Sequence, residues 1–105
     1  MDNLKGYEVM YLLDPEYAEE GLEEKKERLK AIVEGGNGEV QSVDEWGKKR
    51  LAYEINGVNE GVYLLIEFNA SSEDVDDISE MSNVEEGVIR YQVFRNEELT
   101  EPVTS

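Results

Sequence analysis

Residues 6–15, GYEVMYLLDP, are apolar on both sides of an extended chain. Alternation sends Tyr7, Val9, Tyr11 and Leu13 one way and Glu8, Met10 and Leu12 the other. A strand with two largely apolar faces belongs in the middle of a sheet. Asp14 and Pro15 then start a helix, a carboxylate cap followed by a residue whose fixed φ and missing N–H suit the first helical position. The spacing predicts a helix over about 16–34, with Ala18, Leu22, Leu29, Ile32 and Val33 as its apolar stripe and Gly21 weakening its first turns. Gly35 to Gly38, GGNG, supplies the left-handed conformations that end it.

The next run, EVQSVDEWGKKRLAYEI, reads as a strand interrupted by Gly47, where a bend or bulge is expected. NGVNEG turns the chain, and VYLLIEF pairs back as the second half of a hairpin, with Leu51, Tyr53 and Ile55 supplying alternating packing for it. Ser71 to Asp74, SSED, opens a short helix with a capping box, and Val75, Ile78 and Met81 are its apolar positions. EGVIRYQVFR is a last strand, with Ile89, Tyr91 and Val93 on one face and Arg90, Gln92 and Phe94 on the other.

The order β-α-β-β-α-β predicts an α+β, ferredoxin-like split βαβ fold: a four-stranded antiparallel sheet with two helices on one face. Right-handed crossovers place the first and third strands in the middle. The uncovered face then presents Met10, Leu12, Tyr63 and Leu65 beside Arg90, Gln92 and Phe94. A length of 105 residues fits one domain, expected over 1–95, followed by a loose acidic tail over 96–105.

Cys and His are both absent, which removes thiolate catalysis, imidazole acid–base chemistry and Cys/His zinc sites. The carboxylates Asp74, Asp76 and Glu85 have a calcium-loop spacing, but Ile78 and Ser79 stand where that loop needs an oxygen ligand and a glycine. No cofactor is expected, and no glycine motif for a nucleotide is present. No apolar run is long enough to span a membrane, and MDNLKGYEV lacks the regions of a signal peptide, so the expected location is cytoplasmic.

Against 26 acidic residues stand 10 basic ones, a formal net charge of -16, which opposes anionic membranes and non-specific nucleic-acid binding. A salt-rich cytoplasm is one reason for such a surface, with stability then rising with added salt. A local patch still acts separately, because charges are screened over roughly 8 Å at physiological salt. KKERLK, residues 25–30, has interleaved acids and reads as a solvated helix face. GKKR does not: Lys48, Lys49 and Arg50 have no interleaved acid and lie in an extended segment. Protection of an edge strand and phosphate contact both account for them. Aromatics beside Arg on the open face likewise fit either single-stranded RNA or a protein partner.

GKKRLAYEI resembles the Gly-(Lys/Arg)-(Lys/Arg)-x-Leu-Ala-Tyr-x-Ile segment of the bacterial small-subunit ribosomal protein six family. YEVMYLLDP, EGVYLLIEF and EGVIRYQVFR resemble that family's other strands in order and spacing, over about nine tenths of the chain. The resemblance implies the same fold, no enzymatic activity, and a structural role on the small ribosomal subunit. It implies binding to the central domain of 16S ribosomal RNA together with small-subunit ribosomal protein eighteen, with no membrane and no small-molecule substrate. Carried onto this chain, Lys48, Lys49, Arg50, Arg90 and Arg95 are the RNA-facing candidates, and Tyr63, Leu65 and Phe94 the partner-facing ones. Where the family usually has Leu-Arg-Ile before the last strand, this chain has Ser82, Asn83 and Val84, so basic contacts are not carried to that helix end. A different class of function also suits the fold: a regulatory or oligomerising module that binds a small molecule or its own copy across the open sheet. Co-purification with small subunits separates the two.

Overall fold

The chain, seen here in a computed structural model that describes residues 4–55 and 57–95, runs β1 (Lys5–Leu13), a 3-10 turn (Pro15–Ala18), α1 (Leu22–Gly35), β2 (Glu39–Ile55), β3 (Val58–Ala70), α2 (Ser72–Asn83) and β4 (Val88–Arg95). The sheet order is β2-β3-β1-β4, antiparallel throughout, so the two-faced apolar strand β1 does lie inside, between β3 and β4. The expected acidic tail, 96–105, lies outside the described residues.

Directly paired residues of an antiparallel ladder share a face. On one face Val9, Tyr11 and Leu13 join Leu64, Ile66 and Phe68 of β3, with Leu29, Ile32 and Val33 of α1 and Ile78 of α2 closing over them. Removing one of these side chains costs about 2–5 kcal/mol by the usual large-to-small penalty. The opposite face carries Met10, Leu12, Tyr63 and Leu65, with Arg90, Gln92 and Phe94 on β4 beside them.

Four local expectations are corrected. The single helix over 16–34 is split, because Gly21 takes a left-handed φ of 87° and leaves the segment begun at Asp14 and Pro15 as one 3-10 turn. Ala18 is consequently exposed and leaves the apolar stripe. On α2, Met81 is 47% exposed and Ser82 takes the buried position, since 75, 78 and 82 follow one helix face where 81 does not. A register shift between Leu12 and Leu13 pairs Val88 with Leu13, so Val88 rather than Ile89 packs against the core. Finally, Ile55 pairs with Val58 and Gly57 takes a φ of 80°, so Val58 to Gly61 already belong to β3 rather than to the turn.

Helix ends follow the sequence signals more closely. Asp14 Oδ1 accepts from the Glu16 amide at 2.9 Å, and Ser71 Oγ from that of Asp74 at 3.2 Å. Beyond α1 the left-handed residue is Asn37, at φ 70°. Gly38 is needed for room instead: a Cβ there would lie 2.7 Å from Val33 Cγ1 and 2.9 Å from its carbonyl oxygen.

Candidate nucleic-acid interface

The 17 residues of β2 lie at the edge of the sheet and are out of step with β3 at three places. One lies between Glu45 and Gly47, as the glycine suggested, and leaves Trp46 without a partner on β3. Gly47 holds a φ of 82°, and Lys26 on α1 anchors the preceding Glu45 at 2.5 Å. The hydrogen bonds that Lys26 donates to Glu45 and then to Glu23 raise its ammonium above its ordinary range, and the Lys26 contact lowers the Glu45 carboxyl.

Beyond the bulge the three charges alternate. Lys48 pairs with Val62 and points to the helix side, Lys49 pairs with Gly61 and points to the opposite face, and Arg50 pairs with Glu60 on the helix side again. Lys48 enters a groove of about 530 Å³ walled by Pro15, Glu16, Glu19, Glu20 and Glu60, with its ammonium 3.9 Å from the Glu60 carboxylate. Its charge thus has a half-exposed carboxylate partner within the chain. Lys49 and Arg50 are exposed and make no ion pair with the described residues.

Across the open face, Gly47, Tyr63, Leu12 and Arg90 form one row through β2, β3, β1 and β4. The structure therefore brings Tyr63 and the exposed Arg90 onto the face that Lys49 shares. Leu65 sits on this face between Met10 and Asp44 but is only 8% exposed, so it supports the surface more than it presents itself. Phe94 is exposed beside Glu8, four residues along β4 from Arg90 and roughly 13 Å away by strand rise. Arg95 pairs with Tyr7 on the helix side, its guanidinium 5.9 Å from a Tyr7 ring that is stacked on Phe68. These eight residues thus occupy two faces and both ends of the sheet.

The remaining cation cluster, on α1, is committed internally. Lys25 Nζ donates to Glu85 Oε2 at 2.6 Å and to the Glu86 carbonyl at 2.7 Å, Arg28 Nε donates to Glu85 Oε1 at 3.1 Å, and Lys26 and Lys30 pair with Glu23 and Glu27. The solvated helix face read from KKERLK is in part a clamp between α1 and the segment joining α2 to β4. Burial works against the Glu85 carboxylate, yet the bonds from Lys25 and Arg28 outweigh it and hold the group below its ordinary range. Asp74 and Asp76 lie on α2 while Glu85 is engaged in this clamp, and among the described residues no carboxylate cluster is arranged to hold a metal ion.

Two exposed aromatics stand outside the set of site residues that the sequence suggested. Trp46 is 50% exposed and Tyr53 65%, one on each side of the basic run. The signal for them is present in the sequence as aromatics flanking GKKR. Alternation assigns Tyr53 to hairpin packing, but the ladder is irregular between Arg50 and Ile55, so it does not carry Tyr53 to a buried side.

The chain matches the family described as Ribosomal protein S6 over residues 6–95. It is 37% identical over 95 residues to small ribosomal subunit protein bS6 of Desulforamulus reducens, covering 90% of this chain and 100% of that protein. With the bS6 protein of Carboxydothermus hydrogenoformans it shares 39% identity over 94 residues, covering 90% and 98%. The crystal structure of 30S ribosomal protein S6 from Thermotoga maritima superposes with a TM-score of 0.83 at 33% identity, covering 92% of each chain. The C-terminal domain of the MgtC protein from Mycobacterium tuberculosis gives a TM-score of 0.60 at 10% identity, covering 97% and 98%, which is a likeness of fold alone.

Proposed function

The chain belongs to the ribosomal protein S6 family, and from that premise we propose that it binds the central domain of 16S ribosomal RNA together with small-subunit ribosomal protein eighteen. It is a structural, non-enzymatic constituent of the small ribosomal subunit, and so cytoplasmic and ribosome-associated. The observation that carries the finer reading is the partition of positive charge. The cations of α1 are answered by carboxylates, whereas Lys49, Arg50 and Arg90 stand exposed on a chain of net charge -16 without an ion pair among the described residues.

Those three residues are the principal phosphate contacts of this reading. They position the RNA rather than read its bases. Lys48, screened by Glu60, and Arg95, set over Tyr7, contribute less. Tyr63 and Phe94, with Leu65 beneath, form the surface offered to protein eighteen, since interface cores favour aromatic residues and exclude charge.

Sedimentation of small subunits from cells expressing a tagged copy tests the reading. The protein is expected to travel with the subunit at modest salt and to leave it as salt rises. Migration apart from the subunit at every salt concentration would refute it. Reconstitution of 16S central-domain fragments with and without protein eighteen then separates the two partners.

A further inference from the structure

We infer that Trp46 is a stacking platform for an unpaired base of the bound RNA, with Lys49 holding a flanking phosphate. This rests on the RNA-binding reading above and adds to it a contact that is not electrostatic.

Three features carry the inference. Trp46 is the residue that the bulge leaves without a register partner on β3, and it is 50% exposed. On one side the Glu45 side chain is tied to α1 by Lys26, and on the other Gly47 takes a left-handed φ, so the bulge turns the strand at Trp46. Lys49 lies three extended residues away, roughly 10 Å, within the span of one or two nucleotides. A single-stranded RNA satisfies a flat apolar ring and a neighbouring cation without an ion pair at once, because every base has a π face and every linkage a negative charge.

Trp46 is the chain's one tryptophan, so labelling with 5-fluorotryptophan places a single ¹⁹F reporter. The labelled protein is mixed first with small-subunit ribosomal protein eighteen and then with a 16S central-domain RNA fragment. The resonance is expected to move when RNA is added. Trp46→Leu should weaken RNA binding by the assembled pair about 5- to 150-fold, leave the salt slope unchanged, and be largely rescued by Trp46→Phe. Thermal melts of both variants check that the fold is intact. A resonance that moves on adding protein eighteen and not on adding RNA overturns the inference and makes Trp46 a protein contact. Unweakened RNA binding by Trp46→Leu also overturns it, with the broader function intact. If the wild-type pair binds no RNA at all, the RNA-binding reading itself fails and the inference falls with it.

Discussion

The phenol of Tyr11, on the central strand, lies 2.6 Å from the hydroxyl of Ser82 near the end of α2, and both groups are sealed from solvent. Burial first of all pushes the Tyr11 hydroxyl up to about 12, with the Ser82 bond working in the opposite direction. Each hydroxyl is the partner the other needs. Ser82→Ala leaves the phenol unsatisfied and should cost about 1–3 kcal/mol, whereas adding Tyr11→Phe to it should restore part of the loss. Urea unfolding of the two single variants and the double variant measures this coupling.

Glu85 predicts a pH dependence. Its carboxyl is held low in the folded protein, so on acidification the unfolded chain takes up that proton first. Its contribution is complete above the unfolded value, about pH 4.3, and is lost as pH falls through the lower folded value. At pH 7, Glu85→Gln should cost about 1–2 kcal/mol. The gap from wild type should narrow as the pH approaches 3. Denaturant titrations from pH 7 down to 3 follow it, and a gap constant across that range would remove the clamp as the cause.

Two glycines should fail for different reasons. Gly38→Ala drives a methyl into Val33 and should destabilise by about 1–3 kcal/mol through overpacking. Gly47→Ala meets nothing within 4 Å but must adopt a φ of 82°, at a cost of about 1–2 kcal/mol. Chemical denaturation compares them, and Gly47→Asn distinguishes the mechanisms because Asn tolerates the left-handed region while adding more bulk than Ala.

The three adjacent charges should not be equivalent in RNA binding. Replacing Lys49 or Arg50 with Ala should lower the slope of log affinity against log salt by about 0.7–0.9 for each phosphate that is no longer neutralised. Lys48→Ala should lower it less, because Glu60 already screens that charge. Filter binding across a salt series reads all three slopes. Equal changes would mean that Lys48 leaves Glu60 on docking.

The strand order and the two-sided burial of β1 were legible in the sequence because period-two alternation and Asp14-Pro15 are local signals. The basic run was legible as a cluster of charge. What it faced was not, since Lys48 meets Glu60 on β3 and shares a groove with Glu16 and Glu19 of the turn, all brought together only by folding. Ser82 was hidden because its buried place depends on a phenol 71 residues away in the chain. Ile89 and Tyr53 were misplaced for one shared reason: each lies where the ladder changes register, and beyond such a shift simple alternation assigns the wrong face.

The surplus length of β2 lies on an edge strand, while the core faces are set by β1 and β3, which pair without a shift from Lys5 to Leu13. The edge can therefore gain or lose a residue at its irregular points without moving Val62, Leu64 or Ile66. Of β2, only Val40 and Val43 pack against the core, both before the bulge at Trp46, so the contact residues Trp46, Lys49 and Arg50 follow the part of the strand that the interior holds.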